Sequence, residues 1–167
     1  MRAIRYAYVL GGAAALLSAL SGCVSPPLCA GAEVVTEVGV YFAQDGYTDL
    51  VGATWQLCTH SVCAKAEVRQ ESITRARIQL PTDVTPDAAP VRFRVTRRGA
   101  TIPFIDDTAK VRLLHQSDGC GGGGYSRDLA YTKETGLTAD IPKKVSDAWL
   151  HQLRSDTTAP PTPSESP

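Results

Sequence analysis

The sequence predicts an all-β fold, namely an antiparallel β-sandwich of seven or eight short strands followed by one C-terminal α-helix. Three observations support this fold class. Apolar and polar residues alternate with a period of two in several short runs, turn-forming residues separate these runs, and the long apolar runs of a buried parallel sheet are absent. Only residues 141–153 show helical spacing of their apolar residues instead.

The length and charge of the chain set the number of domains and exclude one class of function. The chain has 167 residues with 17 basic and 17 acidic side chains. Without residues 1–22, which include Arg2 and Arg5, acidic side chains outnumber basic ones by two. This predicts one domain, at residues 29–153, and no nucleic-acid partner, because nucleic-acid binding requires a strongly basic surface.

Residues 1–22 are predicted to be a signal peptide for export. Two arginines precede an uncharged, mainly apolar run from Tyr6 to Leu20. The run is short and rich in glycine and alanine, so it fits a signal peptide better than the alternative, an uncleaved membrane-spanning helix.

The segment Leu20-Ser21-Gly22-Cys23 at the end of this run resembles the lipobox of bacterial lipoproteins. In that family the cysteine thiol receives a diacylglyceryl group and a peptidase cuts before the cysteine, which implies that Cys23 is the acylated N-terminus of the mature chain. Each buried CH₂ group contributes about 0.8 kcal/mol, so two acyl chains anchor a protein firmly. The resemblance therefore implies that the membrane is a partner. It also implies a location on the extracytoplasmic face of the cell membrane, with residues 23–28 as a tether.

The first strands are predicted at residues 34–42 and, after turn residues 44–46, as a hairpin over residues 51–69. With residues 59–62 as its loop, Cys58 lies opposite Cys63 on the outer face, close enough for a disulfide. The hairpin register assigns the other face to the core: Val51, Ala53, Trp55 and Leu57 on the first strand, and Val62, Ala64, Ala66 and Val68 on the second.

The later strands are predicted from the same alternation, and residues 117–124, which hold five glycines, are predicted to be a loop. Pro103 marks an edge strand or a kink, because proline cannot donate a backbone hydrogen bond. The predicted strands cover residues 75–80, 91–96, 101–105, 109–113 and 125–132. Short strands at this spacing favour an immunoglobulin-like sandwich.

The end of the chain differs from the rest. Pro142 suits the first turn of a helix, and Val145, Ala148, Trp149 and Leu153 recur at helical spacing. We therefore predict a helix at about 141–153 that covers the sandwich with Trp149. Residues 154–167 hold four prolines and are predicted to be a disordered tail.

Export places the four remaining cysteines in an oxidising compartment, where an even number indicates two disulfides. Four cysteines allow three connectivities. The hairpin register favours Cys58–Cys63, which leaves Cys29 to pair with Cys120. The alternative is a metal site at Cys58, His60 and Cys63, but no fourth cysteine or histidine lies near them in sequence.

The signal, the lipobox, the cysteine-bridged hairpin and the glycine-rich cysteine loop together resemble small actinobacterial envelope lipoproteins with an immunoglobulin-like sandwich and no assigned activity. This resemblance covers most of residues 1–132. It implies a non-catalytic binding or structural module in the cell envelope, with no cofactor and no metal.

Few residues suggest catalysis. The glycine-rich loop could hold an anion with its backbone N–H groups, or could simply form a turn around a disulfide. Cys120 could be a nucleophile, but a partner cysteine is present. His60, His115 and His151 are interpreted as a loop tip, a strand end and an exposed helix position, and Asp106-Asp107 as a turn. A metal-binding lipoprotein and an exported hydrolase or redox enzyme stay as alternative functions.

The most suggestive surface is a set of basic side chains that the alternation directs outwards. If their strands share a sheet, they form a basic stripe suited to an anionic envelope polymer, anionic lipid or an envelope protein. The alternative is a solvated sheet face whose charges prevent edge pairing. The set comprises Arg75, Arg77, Arg92, Arg94, Arg97, Arg98, Lys110 and Arg112.

Overall fold

Two packed β-sheets and a C-terminal helix make up residues 34–158, the part of the chain that the computed structural model describes. The predicted β-sandwich with one C-terminal helix is confirmed, with nine strands in this part of the chain instead of seven or eight. The elements are β1 (Glu37–Ala43), β2 (Thr54–Thr59), β3 (Val62–Glu67), β4 (Ile73–Gln79), β5 (Ala89–Thr96), β6 (Ile105–Val111), β7 (Leu114–Ser117), β8 (Gly123–Thr132), β9 (Gly136–Thr138) and α1 (Lys143–Thr158).

The strands divide into sheet I, in the order β4-β1-β8-β7 with β9 also paired to β8, and sheet II, in the order β3-β2-β5-β6. All pairs are antiparallel except β1 with β8. The parallel pair departs from the prediction. It is accommodated because the whole of sheet II lies between β1 and β8 in sequence, which supplies the long crossover that parallel strands need.

Apolar side chains from both sheets meet between the layers, as the period-two alternation requires. Phe42 on β1 is fully buried, and its ring lies 5.7 Å from Phe93 on β5 and 5.9 Å from Tyr131 on β8, measured between centroids. The Phe42–Phe93 contact therefore connects the two sheets at the centre of the core.

The β2–β3 hairpin has the predicted register, with Cys58 opposite Cys63 and their Cα atoms 4.2 Å apart in a disulfide. Its turn is shorter than predicted, because Thr59 pairs with Val62 and only His60 and Ser61 remain in the turn. Both turn residues have positive φ, at 48° and 64°, as a two-residue hairpin turn of type I′ requires.

Two core assignments in this hairpin are wrong. Val51 is 57% exposed, because it lies in a turn before β2 begins. Ala66 is also exposed, because β3 is the edge strand of sheet II and nothing covers the outer half of its surface in residues 34–158.

The predicted strand at 101–105 and the predicted turn at Asp106-Asp107 are also wrong. Residues 97–104 form a loop that closes when the Phe104 N–H donates to the Val95 carbonyl, and β6 then includes both aspartates. Asp107 lies in the strand opposite Phe93 of β5, and its carboxylate accepts hydrogen bonds from the backbone N–H groups of Thr108 and Leu137. Strands β7 and β9 were not predicted, so residues 125–132 are not the last strand.

Helix α1 packs on the outer face of sheet I, where Val145, Ala148 and Trp149 cover a patch that includes Ala43 and Ala130. The Pro142 carbonyl accepts hydrogen bonds from the N–H groups of residues 145 and 146 at its start. The predicted C-terminal end of the helix, at about residue 153, is wrong, because α1 continues to Thr158. In its last turns the hydroxyl groups of Ser155 and Thr157 donate to backbone carbonyls one turn earlier. Leu153, assigned to the buried face, is 41% exposed.

The rest of the predicted tail, residues 159–167, lies outside the described residues. Within residues 34–158, no helix has the length and apolar character needed to cross a bilayer.

Candidate functional site

The eight basic residues predicted as a stripe do not lie on one surface. Arg75 and Arg77 lie on β4 in sheet I, whereas three others lie on β5 and β6 in sheet II. The condition for a continuous stripe, a shared sheet, is therefore not met. The remaining positions are Arg92, Arg94 and Lys110 in sheet II, Arg97 and Arg98 in the loop after β5, and Arg112 after β6.

On the outer face of sheet II, one carboxylate holds two of these arginines. Arg92 donates to both oxygens of Asp106, with Nε–Oδ1 and Nη2–Oδ2 distances of 2.6 Å, and Arg94 Nε lies 3.2 Å from Oδ1. The two arginines face Asp106 across the β5–β6 pairing. Hydrogen bonding to Arg92, helped by Arg94, lowers the pKa of Asp106 to about 2. This face is therefore a fixed ion-pair network.

Replacing Asp106 with asparagine is expected to reduce thermal stability in a pH-dependent manner. Because the pKa of Asp106 is lower in the folded state, its carboxylate stabilises the fold above about pH 4, and this stabilisation is lost as the pH falls towards 2. The difference in Tm between wild type and Asp106→Asn should thus shrink between pH 4 and pH 2. Asp83→Asn, in the exposed loop before β5, is the control. A Tm difference that is constant with pH would contradict the assignment.

The outer face of sheet I carries a second network around Arg75. Its Nη2 lies 2.9 Å from Glu37 Oε1 and 3.6 Å from Asp128 Oδ1, and its guanidinium lies over the ring of Tyr41. The Tyr41 hydroxyl donates to Asp128, and burial followed by the charge of Asp128 raises the pKa of Tyr41. Gly39 lies beneath this network, where a Cβ atom would overlap Asp128 Oδ1.

A groove of about 350 Å³ lies beside this network and brings together both tryptophans of the chain. Trp55 and Ala66 line it from sheet II, and Trp149 lines it from α1. Arg77 also lines the groove and forms no ion pair with another residue of the 34–158 region. The sequence pattern does not predict this groove, because core packing explains each tryptophan separately. The signal that could have found it is that Trp55 faces the small residue Ala66.

Arg97 and Arg98 lie at another surface, formed by the loops at the end of the sandwich where β1 ends. Arg97 lies over the ring of Phe104 with 4.3 Å between the guanidinium carbon and the ring centroid, and Arg98 packs against Gly52. The two arginines line a wide depression of about 630 Å³ with Asp49 and other loop residues. Its mixed charge favours no particular ligand.

The glycine-rich loop already uses its own N–H groups. One oxygen of Asp118 accepts hydrogen bonds from the backbone N–H groups of Cys120 and Gly122, at 2.7 and 3.0 Å. A carboxylate of the chain therefore occupies the position that a bound anion would take. Cys120 takes part in a disulfide. Its predicted pairing with Cys29 stays a prediction, because Cys29, like Cys23, lies outside the described residues.

The three histidines lie in separate places. His60 Nδ1 is 3.0 Å from the Thr59 hydroxyl, His115 packs edge-on against Tyr125, and His151 is exposed on α1. Within residues 34–158, no three residues among the histidines, cysteines and carboxylates are grouped as metal ligands would be. Comparison with known proteins gave no matching family model, no matching curated protein and no matching solved structure.

Proposed function

We propose that this chain is a lipid-anchored module of the cell envelope that binds another envelope component and does not catalyse a reaction. The observation that carries the proposal is the segment Leu20-Ser21-Gly22-Cys23 directly after a positively charged start and an apolar run. The resemblance to a lipobox makes Cys23 the site of acylation. Two acyl chains then hold the exported chain on the extracytoplasmic face of the membrane.

The strand directions show which end of sheet I the N-terminal segment leads into. β1 begins at Glu37, which pairs with Ser126 near the start of β8, so the glycine-rich loop before β8 lies at the same end of sheet I as the start of β1. Eleven residues lead from Cys23 to Val34, which span at most about 36–40 Å. This length is the upper limit on the distance between an acylated Cys23 and the segment that leads into β1.

The surface chemistry supports binding rather than catalysis. The carboxylates of Asp106, Glu37 and Asp128 are engaged with arginines, so they hold strands together instead of standing free as acids or bases. Cys58 and Cys63 are bonded to each other, so neither sulfur is available as a thiolate ligand or nucleophile.

Substituting Cys23 with alanine is expected to abolish acylation and move the protein from the membrane fraction to the soluble fraction. The reason is that the thiol is the only acceptor that the lipobox resemblance provides. Labelling with radioactive palmitate, followed by fractionation of the expressing cells, measures both effects. The matched control is the double variant Cys58→Ser and Cys63→Ser, which removes two cysteines, and with them the hairpin disulfide, but should keep the label. Palmitate incorporation into Cys23→Ala, or an unchanged distribution, would contradict the proposal.

A further inference from the structure

The free edge of β4 has unused backbone hydrogen-bonding groups. Among the described residues, β4 pairs only with β1, and the Leu80 N–H donates to the Thr36 carbonyl while the Ser72 carbonyl accepts from the Gln44 N–H. The even-numbered residues of β4 therefore direct their backbone N–H and C=O groups towards β1. Because backbone direction alternates along a strand, the N–H and C=O groups of Arg75, Arg77 and Gln79 point to the free edge.

The chain itself shows that this edge accepts an amide partner. The side-chain amide of Gln152 on α1 accepts from the Ile73 N–H and donates to the Ile73 carbonyl, each at 3.1 Å. Two such hydrogen bonds are what a residue of a neighbouring strand would form. Glu71 holds this amide by accepting a third hydrogen bond, at 2.8 Å. Gln152 thus occupies the first position of the edge, and the positions from Arg75 to Gln79 stay open.

The groove described above lies along this open edge and has a different character on each side. Trp55 and Ala66 form an apolar wall on the side between the sheets, whereas Trp149, Arg75 and Arg77 line the outer side. Glu67, Arg69 and Glu71 also line the groove, and Glu71 accepts a hydrogen bond from Gln152 and lies 3.9 Å from Arg69. A strand added to β4 would direct its side chains alternately to these two sides. The residue opposite Arg77 would meet a guanidinium that forms no ion pair with a described residue, whereas Arg75 is already paired with Glu37 and Asp128. The next residue of the added strand would meet Trp55 and Ala66.

We propose that the Arg75–Gln79 edge binds an extended segment of a partner protein as an additional strand of sheet I, with an acidic residue opposite Arg77 and an apolar residue on either side of it. Such β-augmentation gains affinity from main-chain hydrogen bonds and specificity from alternate side chains. The charges select the partner. Arg77 has no counter-ion among the described residues, and pairing with a second copy of β4 would bring arginines against arginines, which is unfavourable. The inference rests on the proposed function only in requiring an extracytoplasmic partner.

The test uses the full-length chain carrying Cys23→Ala and two blocked synthetic peptides, one of alternating glutamate and valine and one of alternating lysine and valine. Both tryptophans line the groove, so tryptophan emission reports occupancy directly. We expect the glutamate peptide alone to change this emission and to protect the amide protons of Arg75 and Arg77 from exchange. An absent response, an equal response to both peptides, or emission changes without amide protection would overturn the proposal.

Two substitutions of Arg77 distinguish the contribution of its backbone N–H to binding from the contribution of its charge. Arg77→Pro removes an N–H that no strand of sheet I uses, together with the charge, whereas Arg77→Ala removes the charge only. Arg77→Ala should weaken binding severalfold and Arg77→Pro by at least about tenfold, the effect of losing roughly one further hydrogen bond. Arg112→Ala, outside the groove, is the matched control. Unchanged binding to Arg77→Ala would overturn the proposal even if the proline variant does not fold.

Failure of the strand-addition proposal can be distinguished from failure of the proposed function. Peptide binding is measured on unacylated protein, so it does not depend on the anchor. Sedimentation of the Cys23→Ala chain with and without Arg77→Ala tests the competing occupant, a second copy. A dimer at micromolar concentration that displaces the glutamate peptide would overturn the acidic-partner proposal in favour of self-association.

Discussion

Replacing Phe42 with alanine is expected to lower the free energy of unfolding by about 3–5 kcal/mol. The side chain is fully buried at the centre of sheet I, and its ring contacts aromatic rings of Tyr47, Phe93 and Tyr131 at centroid distances of 5.6 to 5.9 Å. These neighbours belong to a loop and to strands of both sheets. Phe93 and Tyr131 cannot both move inwards to fill the space, because each is fixed by its own strand pairing.

Denaturant unfolding of the full-length chain carrying Cys23→Ala measures this loss, with Ile102→Ala as the control. Ile102 is 79% exposed, so its truncation should change stability by no more than about 0.5 kcal/mol. A loss below about 1 kcal/mol for Phe42→Ala would mean that the two sheets can repack without this ring. The aromatic contact between Phe42 and Phe93 would then not be the main connection between the layers.

The sequence was sufficient to predict the features that depend on residues close together in one strand pair. The alternation around Trp55 and Leu57, together with a short loop, defined the hairpin register and the Cys58–Cys63 disulfide. By contrast, Asp107 belongs to a strand through its pairing with Phe93 on β5, and its carboxylate accepts a hydrogen bond from Leu137, thirty residues later. No local pattern contains that contact, so a dipeptide of two aspartates was interpreted by its turn preference alone.

The candidate site was harder to predict for the same reason. Alternation correctly directs the Arg75, Arg92 and Arg94 side chains away from the core, but it does not give the order of strands in a sheet. That order decides which carboxylate meets which arginine. Asp106 meets Arg92 because β5 and β6 are neighbours, while Asp128 meets Arg75 through β1, which lies between β4 and β8. The groove along β4 likewise depends on α1 bringing Trp149 beside a strand that is distant in sequence.

Substituting Gly124 with alanine is expected to destabilise the fold by about 2–3 kcal/mol, as overpacking of a fixed contact does. A Cβ atom there would lie 2.5 Å from the Val34 carbonyl oxygen and 3.1 Å from Thr36 Oγ1. The backbone cannot easily withdraw, because the Thr36 carbonyl accepts from Leu80 while its hydroxyl accepts from the Tyr125 N–H. The extra methyl group would therefore force β8 away from the segment that leads into the parallel β1–β8 pair.

Gly119→Asn in the same glycine-rich loop is the matched control for Gly124→Ala. Gly119 has φ of 76°, which asparagine tolerates, and a Cβ atom there would meet no atom within 4 Å. Equilibrium unfolding should show a small change for Gly119→Asn and a large one for Gly124→Ala. Equal effects would indicate that the glycines serve loop flexibility in general. A larger effect of Gly124→Ala would show that Gly124 is required because the backbone of β8 lies close to that of Val34. Gly124 would then have a different role from the glycines of the loop around Cys120.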